Sequence, residues 1–149
     1  MKHKFVRIAI FVLAMFGTLT TAAGGFGLLT GGIKFPLSLL QGTPFSDYTI
    51  PGLALAIIVG GSMLFASATI LTRREVGVLA SAFAGLSMII FEIVEIVIID
   101  RFEPSWLTLA IALQVFYLVL GLAISGLAAF LWVTEFRGHR FSIRHASHA

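Results

Sequence analysis

The chain has 149 residues, 58% of them hydrophobic and only 11% charged, with a formal net charge of +3 and no cysteine. So apolar a chain has no room for a soluble domain beside its hydrophobic stretches, and without cysteine it forms no disulfides, thiolate nucleophiles or thiolate metal sites. In a soluble protein the positive balance would point to nucleic acid, but here membrane topology accounts for it, so no nucleic-acid partner is expected.

Four apolar runs, at about 5–29, 50–71, 76–99 and 105–133, are each long enough to cross a hydrocarbon layer of ~30 Å as a helix of ~20 residues. The expected fold is all-α: an integral membrane four-helix bundle in a single domain over 1–149, with a tail at 134–149 and a short interfacial segment between helices 1 and 2. Its first partner is the lipid bilayer.

The first span begins like a secretory signal, with Lys2-His3-Lys4, an apolar run from Ile8 to Phe16 and small residues from Thr20 to Gly25. Apolar character resumes through Phe26, Leu28 and Leu29, so a retained membrane helix is expected instead. Gly17, Thr21 and Gly25 recur every four positions, with Ala14, Thr18 and Ala22 beside them, and make a flat stripe on one helix face. Such a stripe lets two backbones approach closely. It serves either another span of the same chain or a second copy in a homo-oligomer.

The loop from Thr30 to Thr49 is not hydrophilic. Phe35, Pro36, Leu37, Leu39, Leu40, Phe45 and Tyr48 are placed to lay a short helix in the interface, with Pro36 near its start and Gly42 after its end. Pro51 then falls in the first turn of the second helix, where proline removes no needed hydrogen bond. The run Phe35-Pro36-Leu37-Ser38-Leu39-Leu40-Gln41-Gly42-Thr43-Pro44-Phe45-Ser46-Asp47-Tyr48-Thr49-Ile50-Pro51-Gly52, following a Gly-rich first span, resembles small, uncharacterised four-span bacterial membrane proteins. The resemblance implies a bacterial inner-membrane four-helix protein and carries no activity and no site residues. Small multidrug transporters fit less well, because their key glutamate lies in the first helix. Claudin-like proteins need an extracellular domain with a cysteine pair.

Between the second and third spans, Thr72-Arg73-Arg74-Glu75 has the form of a capping box, with the Thr72 hydroxyl available to the Glu75 amide. The other connection, Asp100 to Glu103 followed by Pro104, is a second short turn, with Trp106 at one interface and Trp132 at the other. Eight of the ten basic residues (Lys2, Lys4, Arg7, Arg73, Arg74, Arg137, Arg140 and Arg144) fall on one side, against Lys34 and Arg101 on the other. This asymmetry predicts that both termini and the Arg73-Arg74 turn are cytoplasmic.

The third span carries Glu92 and Glu95, three positions apart on one face, about 12 and 7 Å below its outer end at about 1.5 Å per residue. Carboxylates at such depth are protonated, paired or open to a wet cavity. The fourth span runs antiparallel, so Gln114 and Tyr117 fall at similar depth and complete a candidate polar cluster. In one reading Glu92 and Gln114 hydrogen-bond between helices while Glu95 reaches the interface or pairs with Arg101 or Lys34. In another the cluster is a proton- or cation-linked site or a small-ligand pocket, and in a third it contacts a basic residue of a partner membrane protein. The first makes the protein a structural or accessory membrane component; the second makes transport or ligand binding the alternative.

No enzyme activity and no cofactor are expected. The Glu-x-x-Glu spacing lacks the intramembrane histidines of a carboxylate metal site. His139, His145 and His148 sit in the basic tail. Ser62, Ser67, Ser81 and Ser87 have no intramembrane base, and are expected to bond back to helical carbonyls.

Overall fold

The structure, a computed structural model, describes residues 3–72, 74–98 and 104–137, with only the backbone described at 104–107 and 110. Lys2, Arg73, Asp100, Arg101, Glu103, His139, Arg140, Arg144, His145, His148 and the side chain of Trp106 lie outside the described residues.

Four long helices follow one another. Helix α1 is Lys4–Thr30, α2 is Thr49–Ile70, α3 is Glu75–Ile98, and α4 is Pro104–Leu131, which continues in a wider π-helical stretch over Trp132–Arg137. Each is long and apolar enough to cross a membrane. The fold is an all-α four-helix bundle. Its polar backbone groups are satisfied within each helix, as hydrocarbon requires.

Local chemistry sets the helix ends. Gly31 takes a left-handed conformation, φ 70°, and its amide closes α1 on the Leu28 carbonyl at 3.4 Å. The interfacial segment holds a short 3-10 turn, Leu37–Leu40, with Leu39 and Leu40 buried, and Gly42 follows it at φ 86°. Asp47 accepts the Thr49 amide at 2.9 Å and so starts α2, two residues ahead of the proline that fits its first turn. The Thr72 hydroxyl donates to the Thr69 carbonyl at 2.7 Å. That bond closes the end of α2 on its own last turn.

Small residues set the helix contacts. The stripe on α1 is spent within the chain: Gly17 lies against Met63 and Leu120, and Thr21 against Gly60. Gly25 meets Gly52 and Ala56, where an added Cβ would come within 2.7 Å of the Gly52 carbonyl oxygen. The matching stripe on α2 is Gly52, Ala56 and Gly60, and a π-helical stretch over Ala54–Gly60 crosses this contact. On α3 and α4 the equivalent contact joins Gly85 to Gly121 and Ser125. Lipid offers no hydrophobic drive for helix association, so close van der Waals contact carries the packing. Ile10, Ala14, Met63, Met88 and Ile124 fill the centre.

One end of the bundle is tied by charge. Arg7, buried inside α1, donates one amino group to the Ile70 carbonyl at 2.9 Å and forms an ion pair with Glu135 on the π-helical extension of α4. The Ile70 carbonyl is at the negative end of α2, where a cation is favoured. Glu135 thus belongs to the helical bundle, beyond the expected span end at 133, because its carboxylate has a buried partner to reach. The start of α1, the end of α2 and the end of α4 therefore converge at one end, opposite Tyr48 and the 3-10 turn.

Candidate functional site

The buried face of α3 runs through Val78, Ser81, Gly85, Met88 and Glu92. Spacings of three and four keep these positions on one side of the helix, so Glu92 continues a core stripe rather than facing lipid. It is only 4% exposed. Glu95, one turn further, is half-buried, and the two carboxyl groups lie close enough to interact electrostatically.

The contact between α3 and α4 fixes what stands opposite. Gly121 lies against Gly85 and Ile89. Moving one to two turns toward the Tyr48 end brings Glu92 level with Tyr117 and Gln114 in the antiparallel partner. Gln114 is half-buried, and its Nε2 atom is buried without a hydrogen-bond partner. The Nε2 of Gln114 therefore does not donate to Glu92. The rotation of α4 is set by the glycine contact, and the polar group follows. Tyr117 packs its ring against the apolar core and edge-on to Phe116, with centroids 5.4 Å apart.

Lys34 is exposed and forms no ion pair with Glu95; the Arg7–Glu135 ion pair lies at the other end of the bundle. What stands near Glu95 is Tyr48. Its hydroxyl donates to the Pro36 carbonyl at 3.0 Å and its ring lies 5.9 Å from Phe35, so the two ends of the loop between α1 and α2 are tied together. Burial, and then the nearby Glu95 carboxylate, push the Tyr48 phenol above its ordinary value of 10. Tyr48 is thus a hydroxyl donor at any ordinary pH. Its place in the cluster is set by the fold of the loop, and no spacing rule reveals it.

Arg7 and Glu135 are the second buried polar cluster, which the span boundaries alone conceal. A signal for both exists. Arg7 begins the series Ile10, Ala14, Gly17, Thr21 and Gly25 on α1, and Glu135 extends Leu120, Ile124, Ala128 and Leu131 on α4. Each charged residue lies on the inward stripe of its helix.

Chemically, the Glu92 end offers two carboxyl groups, an amide donor without a partner and a phenol. Such a set can hold a proton or a small cation. Among the described residues no three His, Asp or Glu gather as a metal-binding group. The serines act locally: Ser62 bonds to the Val59 carbonyl at 2.9 Å, Ser67 to Leu64 at 2.8 Å, Ser81 to Gly77 at 2.7 Å and Ser87 to Ala84 at 2.9 Å. Comparison with protein-family models, with curated proteins and with solved structures finds no match to this chain.

Proposed function

We propose that this small multi-pass membrane protein binds a proton or a small cation at Glu92 and Glu95, entering from the Tyr48 end. The observation that carries the reading is Glu92 itself, a residue 4% exposed on the inward stripe of α3, at the level where the Nε2 of Gln114 is buried without a hydrogen-bond partner. A buried carboxylate without partner or cation is costly, and in membranes such residues mark ion and proton paths. A purely structural or accessory role asks Glu92 to be held by a neighbouring helix, and the Nε2 of Gln114, at its level on α4, makes no such bond.

The charge asymmetry supports an orientation with the Arg7 end in the cytoplasm, so that the site opens outward. Binding, rather than catalysis, is the activity proposed.

The test is the thermal stability of the purified protein in detergent, with sodium, potassium or tetramethylammonium replacing a bulky organic cation at constant ionic strength. A bound cation stabilises the folded form by about 2.7 kcal/mol at a hundredfold excess over Kd. The parent should gain stability with at least one of these cations, and Glu92→Gln should not. Proton binding would appear as a pH-dependent melting curve in the parent that Glu92→Gln flattens. A parent indifferent to every cation and to pH would overturn the proposal.

A further inference from the structure

A groove of about 340 Å³ runs between α2 and α3, lined by Ser62, Phe65, Val76, Leu79, Ala80 and Phe83. It is on the outside of the bundle, where Phe65, Val76, Leu79 and Phe83 are all about half exposed or more. Its lining is almost wholly apolar. The one hydroxyl in it is satisfied elsewhere, since Ser62 bonds to the Val59 carbonyl and shares a hydrogen bond of 3.0 Å with Ser87. Nothing in the groove seeks a polar ligand; its walls match a hydrocarbon chain.

Charge sets which hydrocarbon chain. From Phe83 to Val76 the groove follows α3 for about 10 Å toward the helix start, and exposed Arg74 stands just ahead of that start. Lys4 and Arg137 are exposed at the same end of the bundle, where Arg7 has already been neutralised by Glu135. A lipid whose chain fills the groove brings its headgroup to Arg74. We infer that the α2–α3 groove is a binding site for an anionic phospholipid, with one acyl chain between Phe65 and Phe83 and the headgroup phosphate at Arg74. Basic residues at the membrane surface favour anionic headgroups in this way.

Native mass spectrometry of the detergent-solubilised protein tests this with equal amounts of phosphatidylglycerol and phosphatidylcholine of identical chains. The parent should retain phosphatidylglycerol about fivefold over phosphatidylcholine, the preference that one basic residue at a membrane surface supplies. Arg74→Gln should bring the ratio near one, while Lys4→Gln, away from the groove, leaves it unchanged. Ala80→Trp fills the groove and should lose both lipids; if that variant does not fold, Val76→Trp blocks the groove at its mouth with the same expected loss. No headgroup preference in the parent, a preference that survives Arg74→Gln, equal loss in Lys4→Gln, or retained lipid in a folded tryptophan variant would each overturn the inference. Glu92→Gln should retain lipid as the parent does, which separates this site from the cation site.

Discussion

At the scale of single residues, Arg7 is the most consequential side chain outside the carboxylate site. Its guanidinium is buried, and both its recorded partners come from other helices. Removing one partner of a buried ion pair leaves the other charge uncompensated, at a cost of about 3 to 5 kcal/mol. Arg7→Ala and Glu135→Ala should each lower the melting temperature in detergent sharply. The double variant Arg7→Leu/Glu135→Leu should recover much of the loss, because it strands neither charge; additive losses would mean that the pair does not act as a unit. Asp47 offers a pH test. The Thr49 amide holds its carboxylate below the ordinary 3.8. A folded pKa below the unfolded value stabilises above the unfolded pKa and is lost as pH falls through the folded one. Asp47→Ala should therefore melt below the parent at neutral pH, and the gap should close as pH falls below about 4. A gap that persists in acid would assign the effect to something other than the carboxylate.

At the scale of helices, glycine contacts decide the packing, and the cost of filling them differs by position. Gly25 faces the Gly52 carbonyl oxygen and the Ala56 Cβ, each 2.7 Å from an added Cβ. Gly25→Leu should lose about 1 to 3 kcal/mol of stability through overpacking. Gly126, which has nothing within 4 Å of an added Cβ, should accept alanine without loss. Equal melting temperatures for Gly25→Leu and the parent would show that α1 and α2 are not in contact along this stripe. On α4, the Ser125 hydroxyl is buried without a partner beside Gly85. Ser125→Ala removes an unsatisfied polar atom, so it should be neutral or stabilising by up to about 1 kcal/mol. A clear destabilisation would reveal a bond that this hydroxyl makes to the opposite helix.

At the scale of the whole molecule, the two ends of the bundle differ in chemistry. One carries the Arg7–Glu135 pair with exposed Lys4, Arg74 and Arg137, and the other the carboxylates and Tyr48, with the apolar layer of Met63, Met88 and Ile124 between them. Orientation in the cell is open to direct measurement, because the chain has no cysteine. Cysteines at the exposed positions Ser46 and Thr72 report the two ends. The charge asymmetry predicts that Ser46→Cys reacts with an impermeant maleimide in intact cells and Thr72→Cys only after permeabilisation. The reverse pattern would place the carboxylate site on the cytoplasmic side.

What the sequence determined by itself is what depends on composition along the chain. Four long apolar helices and the small-residue face of Gly17, Thr21 and Gly25 follow from apolar length and from helical spacing, which are local properties. The tertiary structure decided which surfaces meet. The Gly17–Gly25 stripe is met by Met63, Leu120, Gly60, Ala56 and Gly52 from the same chain. Gln114 shares the level of Glu92 without donating to it from its Nε2, Tyr48 comes near Glu95 from the loop between α1 and α2, and Arg7 meets Glu135 across 128 positions of sequence. The reason is that helix rotation and pairing depend on the fit of two surfaces. That fit is set here by a few glycine contacts between helices, and nothing along one helix alone encodes its partner's shape.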